Sequence, residues 1–168
     1  TYNSYKPISG RSIYLNTYYS YTFNDFANYD EVDNLGRKVY KTVNVDGNQN
    51  IGGYVHYYFK IPKLNLGISQ SLNGGLYKSS NFINSLSNTN KNLNTTYDIS
   101  IYFEKEDKYE LSFSPSISYN RSETSLRPDV VTEYFTYALY GSVNLQLPKK
   151  FEWYADAQWN IRQQTEVF

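Results

Sequence analysis

The chain has 168 residues, with 16 Lys+Arg against 16 Asp+Glu, one His, no Cys and no Met. Its length is that of one domain, and an apolar share of 40% excludes a fully disordered chain. Zero net charge and a pI near 6.5 leave no basic stripe for nucleic acid, and the lack of cysteine removes disulfide staples, thiolate zinc sites and a thiol nucleophile.

The 20 Tyr, 9 Phe and 2 Trp stand out in a chain whose mean hydropathy is −0.65, so some surface calls for rings with polar tips. No apolar run approaches the roughly 20 residues of a membrane helix, and no window carries the helical i, i+3, i+4, i+7 stripe. Alternation with period two fills the chain instead.

In chain order, 1–6 reads as the tail of a strand, followed by a turn at Ser9-Gly10-Arg11 and a strand carrying Ile13, Leu15, Tyr19, Tyr21 and Phe23 on one face. A polar loop over 24–41 comes next. Thr42, Asn44, Asp46 and Asn48 then alternate with Val43 and Val45, leading into Ile51, Gly53, Val55, Tyr57 and Phe59. After Ile61-Pro62-Lys63 come Leu64, Leu66, Ile68, Leu72 and Leu76, with Gln70 as the one blemish on that face.

A second polar loop is expected over 79–92, followed by Tyr97, Ile99, Ile101 and Phe103, a turn at Glu106-Asp107-Lys108, and Tyr109, Leu111, Phe113, Pro115, Ile117 and Tyr119. Pro115 cannot donate to a ladder, which predicts a bulge or an edge. A third loop over 122–132 precedes Phe135, Tyr137, Leu139, Val143, Leu145 and Leu147. The turn Pro148-Lys149-Lys150 then leads to Phe151, Trp153, Ala155, Ala157, Trp159 and Ile161.

Each apolar run lasts about ten residues from a short turn, which is the length of strand that crosses a bilayer when tilted. Short turns fall on one rim and long polar loops on the other. Aromatics gather near both ends of the band, as membrane interfaces favour. The expected fold is therefore all-β: an antiparallel up-and-down transmembrane β-barrel, present as a fragment of about seven to eight strands of a larger barrel. A soluble sheet buried on one face is the competing reading.

On this parity Leu15, Val55, Leu66, Ile101, Phe113, Leu145, Trp153 and Trp159 form a lipid-facing wall. Asp46, Tyr54, His56, Asp98, Glu110, Asp156 and Arg162 face a polar lumen, with Glu104 and Glu152 beside them. His56, outside any motif, reads as lumen wall. Asp30, Asp33 and Asp46-Gly47-Asn48 lack the spacing of a calcium loop and read as solvated loop. No catalytic, cofactor or metal residues are expected.

The order of Pro7-Ile8-Ser9-Gly10-Arg11-Ser12, Val32-Asp33-Asn34-Leu35-Gly36-Arg37 and Val43-Asn44-Val45-Asp46-Gly47-Asn48 before Ile51-Gly52-Gly53 resembles the outer-membrane β-barrel domain of TonB-dependent-receptor-like proteins of Bacteroidetes-type bacteria. Asn81-Phe82-Ile83-Asn84 and Leu147-Pro148-Lys149-Lys150-Phe151-Glu152 continue the likeness over nearly the whole chain. The resemblance implies an outer-membrane location, a plug domain, TonB-relayed energy and uptake of a solute whose identity it leaves open.

The missing initiator Met, the absent plug and signal peptide, and a last strand that ascends to Phe168 off the apolar parity all predict that 1–168 is a partial barrel with its C-terminal strands missing. The expected role is membrane wall and lumen lining for solute uptake, without enzymatic chemistry and without nucleic acid. The expected partners are outer-membrane lipid and, by resemblance, plug and TonB. A non-transporting scaffold or docking barrel for envelope proteins, a small closed eight-stranded barrel and a soluble β-sandwich binding domain are the alternatives.

Overall fold

The structure is a computed structural model that describes residues 1–6, 10–106 and 108–163. Ser9 of the first expected turn, Asp107 of the third, and the reading of Phe168 as a cut end lie outside the described residues.

Strands dominate: β1 (Tyr2–Lys6), β2 (Arg11–Thr22), β3 (Asp25–Val32), β4 (Lys38–Val45), β5 (Asn48–Ile61), β6 (Leu66–Ile83), β7 (Leu86–Lys105), β8 (Tyr109–Thr124), β9 (Val131–Leu147) and β10 (Phe151–Arg162). Among the described residues two single 3-10 turns interrupt them, Pro62–Leu64 and Pro148–Lys150, each opened by a proline whose fixed φ suits the first turn position. Asn65, with φ of 50°, closes the first in the left-handed region and donates its N–H to the Pro62 carbonyl at 3.1 Å.

All ten strands share one sheet, and eight of them follow the order β1-β2-β5-β6-β7-β8-β9-β10. Neighbours along that path are antiparallel, so the chain runs up and down. The sheet is not closed, and β1 and β10 end that path.

The stretch 24–41, expected as a loop, is instead largely the β3–β4 hairpin, whose β3 pairs with the end of β6 in parallel at Tyr29↔Phe82 and Asp30↔Ile83. The expected loop 79–92 is also strand. β6 and β7 pair all the way to Ile83↔Leu86 around Asn84 and Ser85, whose φ values of 49° and 66° are those of a two-residue mirror-image turn. Only 125–130 of the third expected loop lacks strand structure.

Pro115 is neither at an edge nor in a bulge. The β7–β8 register continues unchanged from Asp98↔Ser116 to Ile101↔Phe113, and the ladder lapses between them. There the Ser114 hydroxyl donates to the Ser100 hydroxyl at 2.9 Å, so a side-chain bond spans the place where proline offers no donor.

The register keeps each strand's apolar parity on the same side of the sheet. One row reads Leu15, Val55, Leu72, Tyr97, Ile117, Tyr137 and Ile161 across seven strands. Gln70 sits one row away, where Tyr97 Oη donates to its Oε1 at 2.9 Å and satisfies it.

Among the described residues no second layer covers this face. Among the described residues the buried apolar side chains are Ala27 and Val45, both in the β3–β4 hairpin. The chain exposes 12307 Å², whereas a compact monomer of 19.7 kDa exposes about 8,600 Å².

Candidate functional site

The opposite face is a carpet of hydroxyls, amides and rings. Cross-strand pairs bind one another directly: Thr96 with Ser118 at 2.8 Å, Ser112 with Ser142 at 2.7 Å, and Asn94 Nδ2 donating to Asn120 Oδ1 at 2.6 Å. Such pairs satisfy polar groups across strands and stiffen the face locally.

Near the short-turn end this face carries a hollow of about 470 Å³. Its floor is low because Gly67, Ser112 and Ser142 lie in one register row, joined through Tyr102. Tyr58, Tyr102 and Tyr154 rise around it, with Lys60 at one side. Gly67 suits the floor, since an added Cβ would come within 3.0 Å of the Tyr58 hydroxyl.

Glu104 and Glu110 line the same hollow and stand directly opposite each other on β7 and β8. Like charges so placed repel, and among the described residues neither is in an ion pair. Asn144 follows Glu110 in the row, and its Oδ1 is buried without a hydrogen-bond partner. The hollow therefore presents unused acceptors beside phenol rings. It would receive N–H or O–H donors or a cation.

Of the residues expected on the polar side, Tyr54, His56, Asp98, Glu110, Asp156 and Arg162 occupy that face of the register. Only Glu110 lines the hollow. The His56 ring stacks on Tyr54 with centroids 6.2 Å apart, and its Nδ1 is buried and unpartnered. Arg162 lays its guanidinium over the Tyr134 ring at 3.7 Å. Asp46 is in the connection between β4 and β5, where its Oδ1 accepts the Asn24 N–H at 2.6 Å.

The expected wall residues Leu15, Val55, Leu66, Ile101, Phe113, Leu145, Trp153 and Trp159 share the apolar face. Tyr58, Lys60, Tyr102, Asn144 and Tyr154 were not singled out from sequence. Their signal was available, because the short turn that sets Lys105 against Tyr109 also sets Tyr102 against Ser112.

At the far end of the sheet a polar clasp holds the β3–β4 hairpin. Asn48 Nδ2 donates to Asp25 Oδ2 at 2.7 Å while its Oδ1 accepts the Ser80 N–H at 2.9 Å. In the hairpin turn, Asp33 accepts from the Leu35 and Arg37 N–H groups and from Arg37 Nε at 2.7 Å. The Arg37 backbone N–H first, and then its guanidinium, hold the Asp33 carboxyl below its ordinary range.

No protein-family model, curated protein or solved structure matches this chain.

Proposed function

We propose that the chain is a stretch of outer-membrane β-barrel wall of the TonB-dependent-transporter type, with its apolar face against lipid and its polar face lining a route for a solute. The observation that carries this reading is the uncovered apolar face: seven strands contribute to one unbroken oily row, and among the described residues nothing packs on it. In water a patch of that size would aggregate or recruit a partner. Hydrocarbon removes the penalty, and a sheet that pairs its backbone groups between strands is the β form a bilayer accepts. The two unpaired edges then require further strands on either side, in keeping with a larger barrel.

On this reading the solute meets the hollow around Glu104, Glu110, Asn144 and the three tyrosines, which favours hydroxyl-rich or cationic molecules. Energy input and a plug remain implications of the resemblance.

The test is paired cysteine labelling of the full-length protein in cell membranes. Leu145→Cys is expected to react with a bulky lipid-soluble maleimide and to resist a charged thiol reagent, and Asn144→Cys to do the reverse. Equal labelling of both positions by both reagents overturns the two-faced wall.

A further inference from the structure

The oily face ends in charge on one side of the sheet. Tyr19, Ile51, Leu76 and Leu93 make its last apolar row on β2, β5, β6 and β7, and the same row continues into Arg121 and Glu133 on β8 and β9. One row further out, Lys78 stands directly opposite Lys91, which is itself opposite Glu123.

The carboxylates are already committed. Glu123 Oε1 holds Lys91 Nζ at 3.1 Å and its Oε2 takes Arg121 at 3.3 Å, while Glu133 takes the other end of that guanidinium at 2.8 Å. Lys78 has no carboxylate partner among the described residues. Two ammonium groups facing each other across strands repel, and the two carboxylates Glu123 and Glu133 do not balance Lys78, Lys91 and Arg121 together. An anion bridging Lys78 and Lys91 would.

Two hollows lie on the apolar face, one beside these cations and one in the next row. One of about 280 Å³ has Leu76 and Leu93 as its floor and Lys91, Arg121 and Glu123 as its charged wall. In the next row inward the side chains shrink to Thr17, Gly53, Gly74 and Thr95, leaving a transverse furrow with a hollow of about 240 Å³. Bulkier Val55 and Leu72 bound it on one side, Ile51 and Leu76 on the other.

We infer that this margin is a site for a phosphorylated membrane lipid, with the phosphate ester between Lys78 and Lys91 and beside Arg121, and an acyl chain in the Gly53–Gly74 furrow. The phosphate oxygens supply the anion that the opposed lysines lack. The lipid, rather than free phosphate, is the occupant because the cations stand over an apolar hollow that only a hydrocarbon chain fills. The inference rests on the membrane reading above.

For the test, the full-length protein is reconstituted in phosphatidylcholine vesicles carrying a minor fraction of phosphatidic acid, floated, and extracted, and the co-purifying lipid is counted by mass spectrometry. Enrichment of phosphatidic acid is expected, reduced roughly tenfold or more by Lys78→Gln with Lys91→Gln, since each cation near a lipid surface contributes about 1 kcal/mol. Lys78→Arg with Lys91→Arg is expected to restore it, and Lys63→Gln at the other rim to leave it unchanged. Should the double Gln variant fail to float, Lys78→Gln alone carries the comparison.

Unchanged enrichment in floating Gln variants overturns the inference and leaves the membrane reading standing. Loss of the enrichment to added inorganic phosphate overturns the lipid as occupant. A wild-type protein that does not float overturns the membrane reading, and the inference with it.

Discussion

At Gly52 an added Cβ would lie 2.5 Å from the Tyr18 hydroxyl and 2.8 Å from the Gly74 carbonyl oxygen, and the second of these is backbone. At Gly141 the nearest atom is the Ser112 carbonyl oxygen, 3.7 Å away, an ordinary contact. Gly52→Ala is therefore expected to cost about 1–3 kcal/mol by overpacking, and Gly141→Ala to stay within roughly 0.5 kcal/mol of wild type. Urea midpoints of the two variants in the same detergent check the contrast.

Asp33 supplies a pH dependence. Its folded carboxyl titrates below the ordinary 3.8, chiefly through the Arg37 backbone N–H and then the Arg37 side chain. The turn's stabilisation is thus complete above the unfolded value and lost as pH falls through the lower folded one. Amide exchange at Leu35 and Arg37 is expected to accelerate only in that acid range, and Asp33→Asn to abolish the dependence.

Residue roles were partly legible. Parity put His56 on the polar side two residues along β5 from Tyr54, the ring it stacks on, but its buried Nδ1 depends on the neighbouring strands that set Tyr14 and Ser71 beside it, which one strand's sequence does not name.

The strands show which elements a sequence reveals. β5, β6 and β9 alternate in polarity over many residues, so their period and their apolar face were readable. The β3–β4 hairpin was not. Asp25, Ala27, Tyr29 and Glu31 on one parity differ little in polarity from Phe26, Asn28, Asp30 and Val32 on the other, so period two left no contrast to detect.

The outer ends of β6 and β7 were missed for a related reason, being held by amides rather than by an apolar face. Asn88 is their hub. Its Oδ1 accepts from Thr124 Oγ1, Ser125 Oγ and the Leu126 N–H, and its Nδ2 donates to Asn81 and Asn90. At 2% exposure its loss would strand several of these partners. Asn88→Ala is expected to destabilise this end by about 1–3 kcal/mol and to speed exchange of the Leu126 amide, leaving the Leu139 amide in β9 as in wild type. Equal acceleration at both would show that the Asn88 hub is not a local device.

For the whole molecule, apolar area without a core is the feature that separates this chain from a soluble β protein of its size. A sandwich buries one face of each sheet against the other. This sheet instead holds Leu15, Val55, Leu72, Tyr97, Ile117, Tyr137 and Ile161 in a row with none of the described residues above them.

What stands above that row is the most direct question for the membrane proposal. Spin labels placed one at a time at those seven positions of the full-length protein in lipid vesicles report collision with dissolved oxygen and with a water-soluble nickel chelate. High oxygen and low nickel accessibility at all seven is the result predicted for hydrocarbon contact. Low accessibility to both reagents would mean that protein, and not lipid, covers the row.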